Sequence, residues 1–209
     1  MKKLFQGIID FRQRVYPTCR DKFTELAKGQ HPDALFIACS DSRVAPNWFA
    51  SSDPGDLFVI RNVGNLISPC GTKGLTDGDE SELAAVEFAV LNLKVADVII
   101  CGHSDCGAMH ALIDGASLTE APHLKSWLRH GKDSLQKLKD HGPLNASEKP
   151  VNQLSQLNVL QQMEHMKSYP FIHEKIAKGE LKLHGWWFDI AKAAIYSYQA
   201  DQNKFILIE

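Results

Sequence analysis

Ala34-Leu35-Phe36-Ile37-Ala38-Cys39-Ser40-Asp41-Ser42-Arg43 is the stretch on which the fold turns. Its first six residues are apolar without a break, and a polar cluster then ends the run. A run of that length lacking the alternation of a half-exposed strand reads as a strand covered on both faces. Three more runs have the same character: Asp56 to Ile60 behind the turn-forming Asp53-Pro54-Gly55, Val95 to Cys101, and Leu181 to Asp189. Helical signals separate them. Leu83, Val86, Val90 and Leu93 step by three, four and three, and Asp79 with Glu82 ahead of them has the spacing of a capping box. Val151, Leu154, Leu157, Leu160 and Met163 recur every three residues and predict another helix. Between these the polar segment from Lys132 to Pro150 holds an exposed loop, and Leu4, Ile8, Phe11 and Val15 trace one helix face near the start. Apolar strands alternating with helices predict an α/β fold with a parallel sheet flanked by helices.

Composition sets the outer limits. The chain has 209 residues, 44% apolar and 23% charged, which suits one compact domain able to bury a core without disulfides. Twenty-three basic against twenty-five acidic side chains leave a formal charge of -2, so no nucleic-acid or anionic-membrane partner is expected. The basic start resembles a signal peptide but fails as one, because Gln6, Asp10 and Arg12 interrupt the apolar run. No segment approaches the roughly 18 apolar residues of a membrane span. Five cysteines, an odd and irregularly spaced set, point to a reducing compartment, and cytoplasmic is the expectation.

In open α/β sheets ligands gather beyond the carboxyl ends of the strands. The first run ends in Cys39-Ser40-Asp41-Ser42-Arg43 and the third in Cys101-Gly102-His103-Ser104-Asp105-Cys106-Gly107. His103 and Cys106, three apart at a strand-to-helix turn, can face one ion, with Cys39 arriving from the neighbouring strand. Two thiolates and an imidazole are the three-ligand set of a zinc site whose fourth position stays open. Against this stands the ordinary burial of cysteines, and Cys101 is close enough to compete as a ligand. Asp41 beside Arg43 is a carboxylate kept ionised and oriented by a guanidinium, or else the cap of a following helix. A deaminase would need His-x-Glu and Pro-Cys-x-x-Cys, and a dinucleotide site Gly-x-Gly-x-x-Gly after the first strand. Neither is present.

Cys-Ser-Asp-Ser-Arg at 39–43, Pro-Gly-Asp-x-Phe-Val-x-Arg-Asn-x-Gly-Asn at 54–65, His-Ser-x-Cys-Gly at 103–107 and His-Gly-Trp at 184–186 together resemble the β-class carbonic anhydrases, plant-like branch. The resemblance spans nearly the whole chain. It implies a Rossmann-like three-layer domain over 1–209, with a mainly parallel sheet, an additional edge strand and an N-terminal helical arm at 1–30. It implies one zinc on Cys39, His103 and Cys106, a catalytic pair Asp41 and Arg43, and substrate-binding residues Gln30, Phe58, Val63 and Phe88 in a pocket shared between subunits. The implied reaction is reversible hydration of carbon dioxide to bicarbonate and a proton through a zinc-bound hydroxide, in a homodimer or a larger even assembly. Two thiolate ligands make a bound water less acidic than at a three-histidine site, so activity should rise through mildly alkaline pH. Phe36 and Ala38 stand where a bicarbonate-inhibited branch carries Trp and Gly, which argues against that inhibition. Two alternatives share the fold: a non-catalytic zinc-binding regulator, and a hydrolase of a carbon dioxide analogue such as carbon disulfide.

Overall fold

Strand β1 (Ala34–Cys39) is buried at every residue, as its unbroken apolar sequence requires. The computed structural model describes residues 1–76, 78–115 and 117–209. Among these, β1 joins β2 (Leu57–Asn62), β3 (Asp97–His103), β4 (Lys182–Asp189), β5 (Ala194–Gln199) and β6 (Lys204–Leu207) in one sheet of order β2-β1-β3-β4-β5-β6. The first four pair in parallel, and β5 and β6 add on antiparallel. The edge addition expected from the sequence is thus a two-strand meander. Its turns bring Ala193 and Asn203 to positive φ, and its half-buried residues give no apolar run to read.

Alternate residues of β1 face opposite layers, as the period of a strand dictates. Leu35 and Ile37 join Val98 and Ile100 in a core with Val86, Val90 and Val159. Phe36 and Ala38 join Ile99, Cys101 and Phe188 in a second core on the other side. The covering helices are α3 (Pro46–Phe49), α4 (Glu80–Glu87), α5 (Gly107–Asp114), α6 (Pro122–Trp127), α7 (Lys132–His141), α8 (Pro150–Lys167) and α9 (Pro170–Ala177). Helix α4 continues into a π-helical turn, Phe88–Asn92. Only half of the expected capping box forms: the Asp79 side chain accepts from the Ser81 N–H, while Glu82 turns inward and its oxygens find no hydrogen-bond partner. Helix α7 takes the first half of the polar segment before α8, leaving the loop to the residues around Gly142.

Residues Met1–His31 and Pro32–Glu209 are two compact units. The first contains α1 (Lys2–Asp10), a π-helical turn (Phe11–Val15) and α2 (Tyr16–Leu26), none of whose residues is buried. Leu4, Phe5, Ile8 and Phe11 are all exposed along it. No described helix is long and apolar enough to cross a membrane.

The strand order places a topological switch between β1 and β3, since the chain leaves β1 for β2 on one side and returns through β3 on the other. Cys39 ends β1 and His103 ends β3. The crevice that such a switch opens is where they meet.

Candidate metal centre

Cys39, His103 and Cys106 are all buried, and one donor atom from each lies within 4.8 Å of the others. Each is delivered by a different local device. Cys39 is carried by the last residue of β1, and the backbone N–H groups of Asp41 and Gly64 point at its sulfur from 3.4 and 3.3 Å. Gly64 sits at φ +84, and a Cβ there would lie 2.8 Å from that of Ala108, so only glycine lets this N–H come so close. Asp105 at φ +50 turns the chain sharply after β3 and sets Cys106 at the N-cap of α5. His103 Nδ1 lies 2.9 Å from the Ser104 carbonyl. That contact puts the ring proton on Nδ1 and leaves the Nε2 lone pair free, and Nε2 is buried without a partner.

The charges follow from these contacts. The Cys39 thiol is drawn down, chiefly by a hydrogen bond from Cys106, and the two backbone donors add to this. Cys106 is pushed up by its contact with Cys39 and by burial. Cys101, the competing candidate, stays apart from the group; burial raises its thiol and its sulfur contacts the Gly102 carbonyl. An orphaned imidazole lone pair facing a thiolate and a second sulfur fits a soft divalent ion.

Asp41 and Arg43 form a two-point fork, with Nε to Oδ1 at 2.9 Å and Nη2 to Oδ2 at 2.7 Å. The Arg43 backbone N–H also donates to Asp41 Oδ1, and Nη2 reaches the Asp105 carbonyl at 3.1 Å. These donors hold the Asp41 carboxyl well below the usual carboxylate range, the Arg43 side chain contributing most. Asp41 Oδ2 stands 4.0 Å from His103 Nε2. Asp41 caps no helix, since the next, α3, begins at Pro46 behind Ala45; its carboxylate closes its own turn instead.

A family profile for carbonic anhydrase matches residues 34–195. The chain belongs to the β-carbonic anhydrase family. It is 38% identical to a carbonic anhydrase of Synechocystis over 99% of its own length and 74% of that protein. Against a carbonic anhydrase of Pseudomonas aeruginosa it is 36% identical, over 99% and 91%. Among solved structures it matches the β-carbonic anhydrase CcaA at 38% identity and a TM-score of 0.92, covering 100% of this chain and 99% of that one. A β-carbonic anhydrase of Sordaria macrospora, described as tetrameric, matches at 30% identity and a TM-score of 0.79 over 94% and 97%. Zinc is the metal of this family, and the Cys39, His103 and Cys106 donors suit it.

In this β-carbonic anhydrase chain the four residues expected in the pocket are not gathered around the sulfurs. Val63 precedes Gly64, whose N–H faces Cys39; it is exposed, and its carbonyl accepts from Trp127 Nε1 at 2.8 Å. Phe58 pairs in register with Leu35, whereas Cys39 pairs with Asn62. Four residues of strand, about 13 Å, separate the two levels. Phe88 stays with Phe58, ring centroids 5.9 Å apart, and is exposed at 43%. Gln30 is exposed in the first unit.

Several residues that serve the centre escape a reading of the sequence. Arg61 donates to the carbonyls of Cys39 (2.8 Å) and Asp41 (2.6 Å), tying down the loop between them. It lies inside the 54–65 motif, the one sequence signal that could have found it. Asn152 accepts from the Asp105 N–H at 2.9 Å, and no sequence signal marks it. Of the other histidines, His184 is paired with Asp97 at 2.6 Å, and His110 is exposed on α5.

Proposed function

We propose that this chain hydrates carbon dioxide reversibly at a zinc held by Cys39, His103 and Cys106, with Asp41 and Arg43 as the pair that orients the attacking water. The observation that carries this is the buried three-donor cluster, with the Asp41 carboxylate 4.0 Å from its imidazole. Zinc, when bound there, supplies the Lewis acidity that brings the pKa of a water toward neutrality. Asp41 is too weak a base to take up a proton near neutral pH. Its part is to accept a hydrogen bond and aim an oxygen lone pair, which takes geometry rather than basicity. Arg43 holds both carboxylate oxygens from the side and keeps Asp41 from swinging onto the metal. Carbon dioxide offers little to hydrogen-bond, so an apolar wall is sufficient to receive it.

That wall is proposed to be shared. Phe58 and Phe88 lie a strand's length from Cys39 in their own chain, so they and Gln30 serve the centre of a second copy, with Val63 contributed from the same chain. The exposed Phe88 ring and the tetrameric description of the Sordaria macrospora enzyme support this, as does the exposed apolar face of α1. A homodimer, or an even assembly of dimers, is the expected unit. Two zinc-binding sulfurs need a reducing environment, which favours the cytoplasm.

Zinc analysis with stopped-flow hydration tests the assignment. Wild type should hold about one zinc per chain and hydrate carbon dioxide, more rapidly as pH rises from about 6 to about 9. Cys106→Ala should lose both metal and rate. Asp41→Asn should keep the zinc and lose about 100-fold in rate. Stoichiometric zinc with no hydration by wild type would favour the regulatory reading instead.

A further inference from the structure

Helix α8 buries an unusual quantity of polar surface. Asn152, Ser155, Asn158 and Gln162 follow one another at steps of three, three and four, which sets them on one stripe of the helix. Ser155 and Asn152 bond to the backbone of a proposed zinc ligand or its neighbour, Asn158 to the peptide whose N–H faces Cys39, and Gln162 to the same loop three residues on. Asn152 Oδ1 takes the Asp105 N–H, and Ser155 Oγ donates to the His103 carbonyl at 2.8 Å. Asn158 Nδ2 donates to the Gly64 carbonyl at 3.2 Å, and Gln162 Oε1 accepts the Ile67 N–H at 2.8 Å. The approach is close enough to need a glycine: a Cβ on Gly102 would lie 2.7 Å from Val159 Cγ2 and 3.1 Å from Ser155 Oγ.

Two of these side chains are themselves pinned. Asn158 Oδ1 accepts from Ser134 Oγ (3.1 Å) and from Gln162 Nε2 (2.9 Å), so its amide has one orientation, with the NH2 toward Gly64. Ser155 Oγ accepts from Trp187 Nε1 at 3.1 Å, which leaves its proton for His103. Gly64 in turn directs its own N–H at the Cys39 sulfur.

We infer that Asn158 and Ser155 are positioning residues of the metal centre, Asn158 acting through the Gly64 peptide on Cys39 and Ser155 through the backbone of His103. The inference rests on the zinc reading above. Groups behind the ligands of a metal site typically alter its affinity by about 10- to 100-fold when removed. The geometry explains why a helix that supplies no ligand brings amides and a hydroxyl to the backbone of the centre, beside Val151 and Leu154, which pack in the same cluster as Cys39 and Cys106.

The test measures zinc affinity by competition with a chromophoric chelator, and the thiolate-to-metal charge-transfer band after cobalt substitution, on the intact protein. Asn158→Asp keeps the shape and the two acceptor contacts, but sets an oxygen against the Gly64 carbonyl. It should weaken zinc binding about 10- to 100-fold and move the cobalt band. Gln161→Met, on the same helix and equally buried, should change neither. Should Asn158→Asp fail to fold, Ser155→Ala decides, with a loss near the lower end of that range and a displaced band. Wild-type affinity and an unmoved band in the folded Asn158 or Ser155 variant would overturn the inference, as would an equal loss in Gln161→Met. A wild type that gives no thiolate-to-cobalt band would overturn the zinc reading itself, and the inference with it.

Discussion

Helices α8 and α4 both turn polar side chains into the protein, and they treat them in opposite ways. On α8 the four inward groups that face the ligand loops are neutral amides and a hydroxyl, all hydrogen-bonded, with the titratable His165 buried beside Gln162 and Ile67. On α4 the inward group is a carboxyl, Glu82, only 5% exposed and with neither oxygen partnered among the described residues. Burial, helped by the charge of Asp79, pushes that carboxyl up to about 8. Neutral donors and acceptors keep their bonds whatever the pH, so the amides and the hydroxyl behind the metal centre do not themselves titrate. A buried acid keeps its place only as long as it keeps its proton.

Replacing Glu82 by Gln probes the sharpest edge of that contrast. The folded pKa lies above the ordinary 4.5, so the folded protein holds a proton that the unfolded chain has already released. The contribution of Glu82 is therefore complete below pH 4.5 and declines until about pH 8. Measured by urea unfolding, the stability difference between Glu82→Gln and wild type should grow by roughly 1.4 kcal/mol per pH unit across that window, on the order of 5 kcal/mol in all. A difference that stays flat with pH would show that Glu82 is solvated or paired, and the contrast with α8 would collapse.

Gln162→Leu tests the other helix. It strips partners from the Ile67 N–H and the His130 carbonyl in the interior, and should cost about 3 kcal/mol. Gly102→Ala pushes a methyl into α8 and should cost about 1–3 kcal/mol in the same unfolding assay, with weaker zinc retention. The smallest effect expected is that of Asp79→Ala, about 1 kcal/mol from the lost cap. It should also lower the pH at which Glu82 titrates, because one neighbouring charge is gone.

What the sequence discloses, and what it hides, follows the same division. Strand β1 is the most legible, because burial on both faces leaves an unbroken apolar run at 34–39; β2 is only half-buried, and β3 and β4 carry polar residues at their first ends. The candidate ligands are legible because cysteine and histidine at neighbouring strand ends have few other joint uses. Helix α8 is predicted from the apolar steps at 151, 154, 157, 160 and 163, yet its polar stripe has almost the same spacing and reads as a solvated face. Only the close approach allowed by Gly102 shows that those amides point inward. Glu82 misleads in the reverse sense, since a capping-box spacing predicts a carboxylate at the helix surface and the structure buries it. Phe58 and Phe88 were reached through family resemblance alone, because nothing within one chain brings them near Cys39.

The bonds from α8 also decide how the centre can come apart. The amide protons of Ile67 and Asp105 are held by Gln162 and Asn152. The Gly64 amide faces the Cys39 sulfur, and its peptide is anchored at the carbonyl by Asn158. None of these loop amides can reach solvent until α8 itself departs. In hydrogen exchange, three residues in irregular chain should behave as though they belonged to the helix, opening with its free energy and at its pace. The ligand loops and α8 would then form one cooperative unit, assembled or lost together.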